Sequence, residues 1–597
     1  MMFIMSYKPY FINKFTGNLI EIDIMNYIKN IFCIYLIIVW GSATAYGQQK
    51  MLLPDTLSGA NINLELKDGT HEFYQGVKTK TMGANGNILG PTVILEKGKM
   101  VNMTVANKLS DTTTIHWHGL HVAAKNDGGP HTFILPNKTW TPSFKVLDDA
   151  ATYWYHPHLH HKTDLHVSKG ISGFIIVRDQ AERALKLPRT YGVDDFPMVI
   201  QTKDFDTNKQ IVHHSNSDDV VMVNATIDPF LDVPSQVVRY RLLNGSSQRV
   251  FNLGLSNNQK MHQIATDGGL LEKPIELTRL LLAPGERAEI LIDFTEKQGQ
   301  SVYLKSYASD IPSGIYGASS PGMGRGMTLT GYSPNALNGA DFNIIEFKVG
   351  AIAVNPIKSI PKALVNLDPI STSSVNVTRN LTLSPETMGM NQLNGDFLIN
   401  NRSFDLNSID YTIPLNNVEI WSIRNNSGIA HPFHIHDVQF YLIDRNGTAV
   451  TGAEKGRKDV VLIKPMETVR FVTKFDDFAD STTPYMFHCH MLTHEDGGMM
   501  GQFVVVDNTS NSIPTTVGNG FSIYPNPSNG VFKLVSLPKL RSFATSVTSI
   551  DGKQVLGKTF YSNTNGTEID ISHQASGVYV LTVYNNQREF NYKLIKN

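Results

Sequence analysis

The sequence predicts an all-β protein built from several sandwiches, and three observations carry that prediction. The chain has 597 residues, enough for about four domains at roughly 150 residues each. It is rich in turn formers, with 46 Gly and 28 Pro, and holds 41% hydrophobic but only 18% charged residues. Its apolar runs are short, alternating or β-branched, and are punctuated by Gly, Pro and Asn. Long amphipathic helices are absent from the pattern. With 52 basic against 53 acidic residues and a net charge of -1, the chain lacks the positive field of a nucleic-acid binder or of a protein held to anionic lipid.

The amino terminus reads as an export signal. Residues 1–24 form an awkward leader containing Met1, Met2 and Met5, so translation is expected to begin at Met25. Residues 25–47 then supply Lys29, an apolar run from Ile31 to Trp40, and the small residues Gly41, Ser42, Ala43 and Ala45 before Gln48. That apolar run is short for a bilayer span and no other segment approaches one, so no stable transmembrane anchor is expected; an uncleaved amino-terminal anchor is the alternative.

Strands are predicted at PTVILEKGKMVNMTV, TYWYHPH, SGFIIV, AEILIDF and QFVVV. The two cysteines are Cys33, within the signal, and Cys489, so the processed chain keeps one thiol and forms no internal disulfide. A lone Cys is ordinarily a small buried hydrophobe. Here its neighbours point elsewhere, because half of the 20 His fall in four clusters: His116 and His118; His156 and His158; His431, His434 and His436; and His488, His490 and His494 around Cys489.

Strand geometry gives the spacing a meaning. Alternate side chains share a face, so each His-x-His aims two imidazoles at one place while the middle residue points away. In His488-Cys489-His490 the thiol leaves on the face opposite both imidazoles, joining two metal sites through a few covalent bonds. Two imidazoles, a thiolate and a weak thioether are the donor set of a blue-copper centre, and His431, Cys489, His494 and Met499 supply it. Zinc offers no redox chemistry and prefers other sets. Eight imidazoles remain for a second, polynuclear site.

These four motifs, in this order, resemble the multicopper oxidase family over roughly residues 50–508. The resemblance implies three consecutive cupredoxin-like Greek-key β-sandwich or barrel domains at 50–180, 186–350 and 375–508, with a cluster held between the first and third. It implies four copper ions: one type 1 copper on His431, Cys489, His494 and Met499; one type 2 copper on His116 and His434; and two type 3 coppers on His118, His156, His158, His436, His488 and His490. No ligand is missing, unlike in degenerate members that keep the fold and lose the metal. The middle segment carries no ligand spacing, and its His213, His214 and His262 read as ordinary residues.

The same resemblance implies that dioxygen is reduced to water with electrons from a small organic reductant, phenolic or aromatic amine, or from cuprous ion. Protons are consumed as well, and Asp127 in NDGGP and Glu495 beside His494 sit where family members carry relay acids; a turn-forming Asp and a solvated Glu are the bland alternatives. Met323, Met327, Met388 and Met390 are candidates for a cuprous-ion site, against gap filling. Asn426 to Ala430 lack the acidic and Met ligands that copper-detoxifying relatives present before this His, which favours the laccase-like reading. An axial Met implies a moderate rather than an extreme potential for the blue centre.

Residues 509–519 read as a polar linker, and 520–597 as a small β-sandwich with turn chemistry at Pro525, Pro527 and Asn529-Gly530. The opening YPNP, the later GVYVL and the terminal KLIK resemble the sorting domain of type IX secretion systems; a generic carbohydrate-binding or adhesive module is the alternative. The resemblance implies delivery by that machinery to the cell surface or medium, with the periplasm as the alternative. A non-catalytic copper-holding surface protein is the remaining reading, and the complete ligand set counts against it.

Overall fold

The computed structural model describes residues 48–319, 335–386, 396–507, 521–536, 542–550, 552–562, 566–585 and 588–597. The leader, the 25–47 signal segment, the 509–519 linker and Met323, Met327, Met388 and Met390 lie outside the described residues. Strands dominate. The helices among the described residues are single turns or little more: Ala124–Asp127, Thr163–Ser168, Gln180–Ala184 and Leu492–Asp496. None is long and apolar enough to cross a membrane.

Alternating sequence produces sandwich faces. In the strand Asn61–Tyr74, Ile62, Leu64 and Leu66 are buried while Asn61, Asn63 and Glu65 are exposed, as a period of two requires. That strand lies in a sheet with Val77–Ala84 and Met100–Asn107, and the apolar face covers a five-stranded sheet ordered Thr56–Ser58, Thr92–Glu96, Gly173–Arg178, Ala151–His156, His116–His118. A second pair of sheets, of six and eight strands, encloses a core that includes Phe196, Tyr240 and Phe347. A third pair, of seven and five strands, encloses Trp421, Phe433, Phe471 and Phe503. Full burial of each such side chain contributes about 1.5–3 kcal/mol. The carboxyl-terminal module packs a three-stranded sheet on a four-stranded one around Ile523, Phe532, Leu581 and Leu594.

The reading of the sequence starts the first domain at residue 50. In the fold, Gln49–Lys50 pairs in parallel with Pro229–Val233 and Met51 enters the second core, so this strand covers an edge of the second sandwich that would otherwise be open. First and second sandwiches are also joined by buried charge. Arg241 donates to Thr152 Oγ1 at 2.9 Å, Glu289 Oε1 at 2.7 Å and Asp195 Oδ1 at 2.7 Å.

Two pairs of strands position the histidines. His116–His118 runs antiparallel to Ala151–His156 with His116 opposite His156, and His431–Ile435 runs antiparallel to Asp480–Cys489 with His434 opposite His488 and Phe433 opposite Cys489.

Candidate metal centre

The structure brings the eight imidazoles into one buried cluster drawn from both strand pairs. His118 Nδ1 lies 3.4 Å from His156 Nε2 and 3.3 Å from His490 Nε2. His158 Nε2 lies 3.1 Å from His488 Nε2, and one nitrogen of each of His158, His436 and His488 falls within 4.8 Å of the others. His116 stacks on His436 and His118 on His434, each with ring centroids 3.8 Å apart. All eight are buried.

Six of the eight outer nitrogens face acceptors. Main-chain carbonyls, which can only accept, face His116 Nδ1 (Asp127, 3.0 Å), His156 Nδ1 (Pro157, 2.8 Å), His434 Nδ1 (Asp459, 2.7 Å) and His488 Nδ1 (Cys489, 3.0 Å). Carboxylate oxygens face His436 Nδ1 (Asp127 Oδ2, 2.8 Å) and His118 Nε2 (Asp459 Oδ1, 3.1 Å). Each of these rings therefore holds its proton outward and turns a bare lone pair inward. The inner Nε2 atoms of His116, His434 and His436 have no hydrogen-bond partner although fully buried. Protonation does not relieve the crowding: burial, then repulsion between neighbouring imidazoles, pushes His118, His156, His158, His434 and His488 well below the ordinary imidazole range. Burial likewise takes His436 to about 4 and His490 to about 3. Neutral imidazoles with converging lone pairs fit copper ions.

The second cluster sits on the other face of the same strand. His431 Nδ1 and His494 Nδ1 approach the Cys489 sulfur at 3.5 and 3.6 Å. Ser427 Oγ holds His431 Nε2 at 2.8 Å, fixing the ring. Met499 is fully buried; its carbonyl accepts from Cys489 N at 3.1 Å and its own N donates to His494 O at 2.9 Å. Burial pushes the Cys489 thiol up, so a thiolate here requires a cation beside it.

Both candidate acids touch the imidazole cluster. Asp127 ends the short helix Ala124–Asp127, which stops because Gly128 adopts φ +83; a Cβ there would sit 1.7 Å from the Ile115 carbonyl oxygen. Its carboxylate lies 2.8 Å from His436 Nδ1 and 3.3 Å from His116 Nδ1. Burial pushes this carboxyl up, but the His116 and His436 imidazoles outweigh that and hold it below the usual range. Glu495 places Oε1 3.4 Å from His158 Nδ1 and Oε2 3.3 Å from His488 Nδ1. Burial, aided by neighbouring Asp496, pushes its carboxyl well up. His213 and His262 stand apart from the ligands, and His214 pairs with Asp496 and Asp164 at 3.3 and 3.8 Å.

Sequence reasoning missed Asp459, which holds His118 and His434, and Arg287, which grips Asp459 with Nη1 at 2.6 Å from Oδ1 and Nη2 at 2.5 Å from Oδ2. Neither has a local signature. Arg287 opens the strand RAEILID, which also holds Glu289 and Asp293, so its charge did not single it out.

Comparison with known proteins agrees with this geometry. A family model described as multicopper oxidase matches residues 65–182, and another so described matches 337–509. A model described as secretion system C-terminal sorting domain matches 522–597, so the chain carries such a module. Over 481 residues the chain is 34% identical to a multicopper oxidase mco of Staphylococcus haemolyticus, covering 78% of this chain and 94% of that protein. It is 30% identical over 459 residues to a cell division protein FtsP of Photorhabdus laumondii, covering 76% and 91%. Among solved structures, a laccase-like multicopper oxidase CueO of Ochrobactrum sp. superposes with a TM-score of 0.68 at 31% identity, over 76% of this chain and all (100%) of that one. A multicopper oxidase of Campylobacter jejuni gives 0.64 at 29% identity, over 77% and 96%. With its cupredoxin sandwiches, two buried histidine clusters and these relatives, the chain belongs to the multicopper oxidase family of copper-binding oxidoreductases.

Proposed function

We propose that this protein is a laccase-like oxidase that takes single electrons from phenolic or aromatic amine reductants and reduces dioxygen to water. Relatives of the family bear names as different as oxidase and cell division protein, so the reading rests on the site. One observation carries it: of eight buried imidazoles, the six of His116, His118, His156, His434, His436 and His488 have their outer protons fixed by acceptors and turn their remaining lone pairs toward the shared cluster, an arrangement that bound cations relieve.

In this reading His431, Cys489, His494 and Met499 hold a type 1 copper; His116 and His434 hold a type 2 copper; and His118, His156, His158, His436, His488 and His490 hold two type 3 coppers. The domains are taken as 50–180, 186–350 and 375–508, with the sorting module at 520–597. Copper supplies one-electron redox chemistry and activation of dioxygen. The residues do the rest. Cys489 connects the electron-accepting site to the cluster through the backbone it shares with His488 and His490. Burial of every ligand keeps bulk water from the reacting atoms. Asp127 offers proton-holding oxygens beside His116 and His436, and Glu495 beside His158 and His488.

The Ochrobactrum relative has oxidase activity towards lignin model compounds and lignosulfonate, in keeping with organic reductants. The Campylobacter relative is a metallo-oxidase, which keeps cuprous ion as the second reading. The neutral Ser427 hydroxyl on His431, where that reading calls for anionic or thioether groups, favours the first. Secretion by the type IX route follows from the carboxyl-terminal module. Oxygen uptake by the copper-loaded protein tests the reading: uptake is expected with a phenol and an aromatic amine and to be slower with cuprous ion, whereas negligible uptake with all three would overturn it.

A further inference from the structure

We propose that the middle domain, which supplies none of the candidate ligands, sets one copper position of the cluster: Arg287 locks the Asp459 carboxylate that fixes His118, and Gly285 backs the ring of His490. The inference rests on the copper-oxidase reading above. It concerns the group formed by His118, His156 and His490, whose inner nitrogens lie 3.3 to 3.4 Å apart at His118.

Arg287 is spent entirely on this task. A guanidinium has five N–H donors, and here Nε donates to Thr152 O at 3.1 Å. Nη1 donates to Gly285 O at 3.0 Å and Asp459 Oδ1 at 2.6 Å, and Nη2 to Asp267 O at 3.2 Å and Asp459 Oδ2 at 2.5 Å. Those partners come from all three sandwiches, and the Arg287 side chain is completely buried. The fork leaves the carboxylate no freedom to rotate. Asp459 Oδ1 in turn accepts the His118 Nε2 proton at 3.1 Å, which keeps the Nδ1 lone pair pointing inward.

The effect is confined to one group. His434 is held by the Asp459 main-chain oxygen at 2.7 Å, which needs no charge on the side chain, and the carboxylate Oδ1 lies farther off at 3.7 Å. His116, His156 and His488 also use main-chain oxygens, and His436 uses Asp127. Only His118 has its outer proton on a carboxylate balanced by a cation of the middle domain. Gly285, at φ +81, comes so near His490 that a Cβ would lie 2.8 Å from its ring carbons. A turn glycine and the first residue of the strand that follows it therefore support two histidines of the same group.

The test compares copper-loaded wild type with Arg287→Gln, Arg287→Lys and Arg241→Gln, the last removing an equally buried arginine that serves only the sandwich junction. Copper per chain, the blue absorption band and electron paramagnetic resonance are read, none of which depends on turnover. Both Arg287 variants are expected to hold copper at one position about 10- to 100-fold more weakly. They should keep the blue band and gain a resonance from a type 3 cupric ion whose coupled neighbour is missing. Arg287→Lys retains the buried charge but not the fork, so it carries the test even if Arg287→Gln fails to fold. Arg241→Gln should lower thermal stability and leave copper count and resonance unchanged. Wild-type copper content and resonance in Arg287→Lys, or the same copper loss in Arg241→Gln, would overturn the inference alone. A wild type that takes up no copper would overturn the underlying reading with it.

Discussion

His488 and Cys489 are consecutive in the chain and face different centres: the His488 imidazole meets His158 at 3.1 Å, while the Cys489 sulfur meets His431 and His494 at 3.5 and 3.6 Å. One peptide link thus separates the buried Cys489 cluster from a buried eight-histidine cluster. Strand alternation enforces the division, because adjacent side chains of an extended segment cannot share a face.

Asp127 should matter at one stage of turnover only. Asp127→Asn keeps the shape but removes the charge beside His116 and His436. Anaerobic reduction of the blue centre by substrate is expected to proceed at the wild-type rate. Reoxidation by oxygen should slow by about 10²- to 10⁴-fold, the usual contribution of a placed acid or base. Rapid-mixing measurement of the blue band separates the two, and unchanged reoxidation removes Asp127 from proton handling.

Met499 should tune the blue centre rather than create it. Met499→Leu replaces a weak thioether donor with a side chain of similar volume. The blue band is expected to persist and its midpoint potential to rise in a redox titration. A fall in potential, or none at all, would show that the sulfur is not an axial donor.

Lys203 gives the fold a pH dependence of its own. Burial pulls its ammonium from 10.5 to about 8, against the opposing pull of Asp164, and Nζ donates to Ser168 O at 2.7 Å. Below about pH 8 folded and unfolded chains both carry the proton, so the full cost of burying it is present. Between about 8 and 10.5 the folded chain releases the proton first, and stability is regained as pH rises. The stability of wild type relative to Lys203→Met should therefore improve by about 2 kcal/mol from pH ~7 to pH ~9.5. Paired thermal melts that stay parallel across this range would show that the ammonium is not buried.

The carboxyl-terminal module should direct transport and leave catalysis untouched. It has its own core around Phe532 and Leu581. A chain ending at residue 508 is expected to keep its copper and oxidase activity but to remain within the cell envelope. Cell fractionation decides this, and equal release of the shortened chain would contradict it.

Much of the site was legible because its grammar is local. His-x-His on a strand needs no knowledge of the fold to aim two rings at one place, and His488-Cys489-His490 declares its own division of labour. Asp127 and Glu495 could be placed through motif resemblance. What stayed hidden depends on contacts distant in sequence. Asp459 reaches His118 across 341 positions and Arg287 across 172, and no spacing rule relates them. The middle segment looked inert because it lacks ligands, although its Arg287 and Gly285 stand against the cluster. The pairing of Gln49–Lys50 with Pro229–Val233 was invisible for the same reason.

The most direct measurement is made on Cys489→Ser. If the thiol anchors a separate electron-accepting copper, the purified, copper-loaded variant loses the blue band and about a quarter of its copper, keeps the copper held by the eight histidines, coupled pair included, and oxidises neither phenol nor amine. A variant that remains blue and active, or one that loses all of its copper together, would contradict the division into two centres.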